Sequence, residues 1–143
     1  MISLELMIAR FSAPIRYFLL VYFAGFALGI IRELMIIPTV GLSAALLMEM
    51  PVMAIVSFFS ARFVLDRAPD AKTPSDYLFI GCTAFVLLLI AEETMSRILR
   101  GISVFTFWAD FGPLAALANI AGLGLFMLMP LIVGLNRNPA TPG

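Results

Sequence analysis

Four predominantly apolar stretches, each roughly 22–25 residues long, constrain this chain more than anything else in it. A core helix of a soluble protein rarely sustains about 18 apolar residues with so few charges, whereas a bilayer-crossing helix needs about 20. The whole chain agrees: of 143 residues 62% are apolar and 13% charged, with a mean hydropathy of +1.07. Soluble domains carry about 25% charged residues and could not hide so much apolar surface from water. The expected fold is an all-α membrane protein in one domain over 1–143: a four-transmembrane-helix antiparallel bundle with a short N-terminal interfacial helix.

Residues 1–13 (MISLELMIARFSA) place Ile2, Leu6, Ala9 and Ala13 at helical spacing, which reads as that interfacial helix or a ragged start. A cleaved signal peptide is the rival reading, since a basic stretch precedes the apolar run 17–31. No clear A-x-A site follows, and the apolar pattern resumes after Arg32-Glu33, which favours a retained helix. Span one is expected over 14–37, with Pro14 in a first turn, Pro38 as a stop and Thr39-Val40-Gly41 as a tight turn. Span two covers 42–65 and contains Pro51. Residues 66–75 (DRAPDAKTPS) form a polar loop, and span three follows over 76–100 with Ser75 or Asp76 as its N-cap. Residues 101–112 form a second connection, whose Phe105, Phe107 and Trp108 suit a membrane interface. Span four covers 113–135 and contains Pro130, and the tail 136–143 is expected to be mobile.

Basic residues orient the spans. Arg10, Arg16, Arg62, Arg67, Lys72 and Arg137 fall on one side, and Arg97 and Arg100, with Arg32 just inside, on the other. The basic-rich side is expected to be cytoplasmic, with both termini inside a bacterial inner (plasma) membrane. Lys plus Arg and Asp plus Glu are each 9, and no basic patch suggests nucleic acid. The absence of histidine excludes His-bound zinc, His-ligated haem and every Ser-His or Cys-His arrangement. No cofactor or metal is expected. The methionines read as gap-filling or lipid-facing side chains rather than a copper site. The single cysteine, Cys82, sits among apolar neighbours and reads as a small buried hydrophobe.

The spans nevertheless contain ionisable groups: Arg32 and Glu33 in the first, Glu49 in the second, Glu92, Glu93 and Arg97 in the third, with Asn119 in the fourth. At about 1.5 Å per residue from the outer end of each span, Arg32 lies about 8 Å in, Glu49 about 13 Å, Glu92 and Glu93 about 11 Å, Arg97 about 5 Å and Asn119 about 9 Å. All therefore fall in one half of the bilayer. Gly25, Gly29 and Arg32 share a helical stripe, and Gly25-x-x-x-Gly29 permits close helix approach. Glu93 precedes Arg97 by four residues, the favourable order for a helix pair. A charge at mid-span costs about 2.5–3.5 kcal/mol, so these groups are expected to converge rather than face lipid singly. The expectation is an ion-pair network joining spans one to three, with Arg32 serving Glu49 or Glu92 and Asn119 closing it.

Four glutamates face two deep arginines, three with Arg100, so at least one carboxyl lacks a full counter-charge. Glu49 is the candidate, being deepest and two residues before Pro51, which also frees the Leu47 carbonyl. The cluster reads either as a lock on helix register or as a ligand or ion site. No Glu-x-x-His, G-x-S-x-G, P-loop or GxGxxG occurs. The expected function is accordingly a non-catalytic accessory, assembly or partner-binding protein in the lipid bilayer, with a protein partner or a second copy as company. The alternatives are a small proton- or cation-coupled transporter or channel working as an oligomer, and an enzyme acting on a lipid or isoprenoid.

Overall fold

One unbroken helical segment carries the chain from Leu4 to its first turn. In the computed structural model, which describes residues 4–137, α1 (Leu4–Ile31) runs directly into a π-helical turn (Arg32–Ile36) and a final short helix α2 (Ile37–Val40). Pro14 lies inside α1 and is fully buried. The expected interfacial helix is therefore not a separate element: proline's φ is already helical, and the surrounding packing tolerates its missing amide. Pro38 does not stop the helix either, since α2 continues past it to Val40. Lacking an N–H, Pro38 cannot bond the Leu34 carbonyl, and the turn before it widens so that the Ile37 amide donates to the Arg32 carbonyl. The link to the next helix is Gly41 alone, at φ 88°, a conformation that side chains with a Cβ adopt only with strain.

The remaining elements are α3 (Leu42–Asp66), α4 (Pro74–Arg100), α5 (Val104–Ala109) and α6 (Pro113–Arg137). Helix α4 begins two residues before the expected start. Its N-cap is Thr73, not Ser75 or Asp76: the Thr73 hydroxyl accepts from the Asp76 amide while the Asp76 carboxylate accepts from the Thr73 amide, with Pro74 in the first helical position. Among the described residues four segments are long and apolar enough to cross a membrane, Met7–Val40, Leu42–Asp66, Pro74–Arg100 and Pro113–Asn136. The first, at 34 residues, would be about 51 Å long if straight, well beyond a hydrocarbon layer of about 30 Å. Ile2 and the tail residues 138–143, on which sequence expectations were placed, lie outside the described residues.

Helices α3 and α4 pack on α6, and α1 packs on α3 and α4. The buried core gathers toward one end of these helices: Tyr17 and Val21 from α1, Ala61, Val64 and Leu65 from α3, Tyr77, Ile80 and Ala84 from α4, Phe126, Met129 and Val133 from α6. Backbones meet closely there. A Cβ on Gly81 would overlap the Met127 carbonyl of α6, and one on Gly134 would overlap the Tyr77 ring. The Gly25-x-x-x-Gly29 stripe makes no such approach, because it faces a cavity: its nearest neighbours are the Met53 thioether end at 3.4 Å and Arg32 Nη2 at 3.5 Å.

Pro130 lies inside α6 and has no amide to give the Phe126 carbonyl four residues back. Tyr17 supplies the missing donor: its hydroxyl donates to that carbonyl at 2.5 Å while its ring stacks on Phe126 at 4.7 Å between centroids. A hydrogen bond between helices is worth about 1 kcal/mol. It pins α1 to α6 at a place the proline made available.

The outer surface is apolar, with Phe23, Phe59, Ile98 and Ile120 among many exposed large side chains. Cys82 is exposed, contrary to expectation. The inward stripe of α4 runs through Tyr77, Ile80, Gly81, Ala84 and Leu88, and Cys82 lies off it. Apolar sequence neighbours do not imply burial in a helix whose outer face is itself apolar.

Candidate functional site

The charged residues of the spans do not form one cluster. They divide into two groups, and the reason lies in α4. Consecutive helical residues point about 100° apart, so Glu92 and Glu93 face different surroundings.

The first group surrounds a cavity at the end away from the core. Arg32 stands at the π-helical turn and reaches across to α3, where Nη1 donates to Glu49 Oε2 at 2.5 Å. Both side chains are largely enclosed, 19% and 16% exposed. Nη2 of Arg32 lies 3.7 Å from Glu33 Oε1, and Glu33 in turn lies 3.9 Å from Arg100 Nη2. The Nε of Arg32 is buried without a hydrogen-bond partner among the described residues, a donor open to an acceptor. The expected Arg32–Glu49 pairing is thus present. Glu49 is not the under-compensated carboxyl, however: it holds Arg32, whereas Glu92 makes no hydrogen bond or ion pair among the described residues. Two carboxyls at similar depth look alike in sequence; which one the guanidinium meets depends on how the helices are rotated against one another.

The second group lies at the join of α4 and α5. Glu93 pairs with Arg97 and also accepts from the Ser103 hydroxyl at 2.9 Å and the Val104 amide at 3.1 Å. Ser96 donates to the Ile102 carbonyl at 2.9 Å. Glu93 and Arg97 therefore organise a connection and do not line the cavity. The network expected to reach them from Arg32 stops at Glu33 and Arg100. Asn119 does line the cavity, yet makes no hydrogen bond among the described residues and closes no network.

The half-open cavity has a volume of about 440 Å³, within the range of about 300–1,000 Å³ usual for small-molecule sites. Helices α1, α3, α4 and α6 and the π-helical turn all contribute to its walls. Arg32, Glu33, Glu49, Glu92 and Arg100 supply its charges, and Tyr22, Phe26, Met53, Phe107, Trp108 and Phe126 much of its apolar wall. Phe107 and Trp108 belong to α5, and the Arg100 guanidinium lies 3.9 Å above the Phe107 ring. The sequence shows Arg100 only as an optional third arginine facing the glutamates, and suggests a membrane interface for these aromatics. Spacing alone does not show that α5 borders the cavity. The formal charge of the lining is three carboxylates against two guanidiniums, with both guanidiniums already beside carboxylates.

No family model, curated protein or solved structure matches the chain.

Proposed function

We propose that the chain is an integral membrane protein, a four-helix antiparallel bundle in a bacterial inner membrane with both termini cytoplasmic, and that it acts as a non-catalytic accessory protein. In this reading its charged cavity binds a group that carries a positive charge on an apolar body, presented by a small molecule or a partner. The observation that carries it is Glu92, a carboxyl with no hydrogen bond or ion pair among the described residues, in a half-open cavity whose two arginines lie beside other carboxylates. A cation there would gain from the excess carboxylate and from the faces of Tyr22, Phe26 and Trp108. Burying three carboxylates with two arginines in hydrocarbon is otherwise expensive, and an occupant cation offsets that cost.

The chain's single tryptophan, Trp108, lies in the cavity wall and reports occupancy directly. In nanodiscs of zwitterionic lipid, tetraphenylphosphonium should change Trp108 emission saturably, while tetraphenylborate, the same shape with opposite charge, should not. Glu92→Gln should weaken the phosphonium response about tenfold, the scale of one lost charge contact of about 1.4 kcal/mol. Equal responses to both ions, or a response untouched by Glu92→Gln, would overturn the proposal. A second reading, a cation-coupled transporter working as an oligomer, draws on the same Glu92; phosphonium flux into proteoliposomes that is unchanged by Glu92→Gln would remove it.

A further inference from the structure

The other end of the helices carries a second cavity of opposite charge, about 560 Å³, between the start of α1, the end of α3, the loop that follows it and the start of α4. Arg10, Arg16 and Arg67 line it, against Asp70 and Asp76. Asp76 is not free to neutralise them fully, because its carboxylate accepts from the Lys72 and Thr73 amides at 3.0 and 3.1 Å. Arg10 lies 4.4 Å over the Phe79 ring and Arg67 3.8 Å over the Phe63 ring. Such stacking fixes a guanidinium plane and leaves N–H groups at its edge to bind in the plane, although Arg67 Nη1 also donates to the Phe63 carbonyl at 3.5 Å. Arg16 makes no hydrogen bond or ion pair among the described residues. Beneath the arginines the lining is apolar, with Ala13, Val64 and Ile80 buried.

We propose that this cavity binds the phosphodiester headgroup of an anionic lipid, with the arginine edges on the phosphate oxygens and the glycerol and first acyl carbons on the apolar floor. A planar guanidinium offers two parallel N–H groups to a phosphate, the strongest uncoordinated pairing available to it. The place in the fold suits it: the polar stretch 67–73 crosses this end, so the arginines stand where an apolar helix gives way to a polar loop. A zwitterionic headgroup fits worse, because the lining's three guanidiniums outnumber its two carboxylates and favour a net negative charge. Free phosphate shares the recognised oxygens but leaves the apolar floor uncovered.

Native mass spectrometry of the full chain in mild detergent tests this, using phosphatidylglycerol and phosphatidylcholine of identical acyl chains, and inorganic phosphate as competitor. The wild-type chain should retain one phosphatidylglycerol about tenfold better than phosphatidylcholine, as expected for one or two arginine–phosphate contacts. Arg16→Gln/Arg67→Gln should abolish that preference, and Arg16→Lys/Arg67→Lys, which keeps the charge but not the fork, should restore only part of it. Helical circular dichroism of each variant establishes that it folds. Equal retention of the two lipids, an unaffected glutamine variant, full rescue by lysine, or displacement of phosphatidylglycerol by millimolar phosphate would overturn the assignment, the last giving the site to a soluble anion.

Discussion

Glycine plays opposite parts at the two ends of this molecule. Toward the Tyr17 end, Gly81 and Gly134 sit where another helix or ring leaves no room for a Cβ. Toward the Arg32 end, Gly25, Gly29 and Gly122 border a cavity, and nothing lies within 4 Å of a Cβ built on Gly122. Around Tyr17 the helices meet in ordinary core contact, and the arginine-lined cavity lies beyond them, beside the polar loop. The Arg32 end is lined by an ion pair, a carboxyl with no hydrogen bond among the described residues, and small residues. The comparison teaches that small residues in apolar helices do not declare their purpose: the same missing side chain allows contact in one place and leaves space in another.

The sharpest way to break this comparison is to make one substitution at both ends. Gly81→Ala should destabilise the protein by about 3 kcal/mol or more, since the new methyl meets backbone rather than a flexible side chain. Reversible SDS unfolding measures it, and a loss below about 1 kcal/mol would mean that α4 and α6 separate easily. Removing the charge that organises the open end should come next. Arg32→Gln leaves Glu49 and Glu33 without their nearest cation and should cost about 3 kcal/mol, while adding Glu49→Gln should recover much of that loss. A double variant no better than the single one would show that the pair is not a coupled unit. Smaller still, Tyr17→Phe keeps the ring on Phe126 and deletes only the hydroxyl, for about 1 kcal/mol, with the Phe126 carbonyl left open by Pro130. The smallest effect is expected at Gly122→Ala, which should be neutral or stabilising by up to about 1 kcal/mol because alanine favours helix and meets nothing. Clear destabilisation there would mean that the cavity is closed in the folded protein.

Much of this architecture could be read along the chain. Run length marks the four long apolar helices, and the spacing of ionisable groups puts Arg32 at the level of Glu49. What misled was local. Pro14 and Pro38 read as boundaries, yet both lie within continuous helix, because a proline removes one amide without forbidding helical φ. Glu93 and Arg97 satisfied the four-residue pairing rule and do pair, but their shared face looks to Ser103 and Val104. Gly25 and Gly29 matched a contact motif and border empty space instead, while the jammed glycines, Gly81 and Gly134, carried no motif. Arg100 was visible only as a charge near a helix end, since its place depends on where α5 turns.

By itself, then, the sequence determined the apolar character, number and length of the long helices, and the level at which charges enter them. These follow from hydropathy and from the fixed rise of a helix, both of which are properties of a single segment. Only the tertiary structure decided which carboxyl Arg32 holds, which is left alone, and which faces enclose space. Those outcomes depend on helix rotation, and rotation is set by packing between segments that lie far apart in the chain.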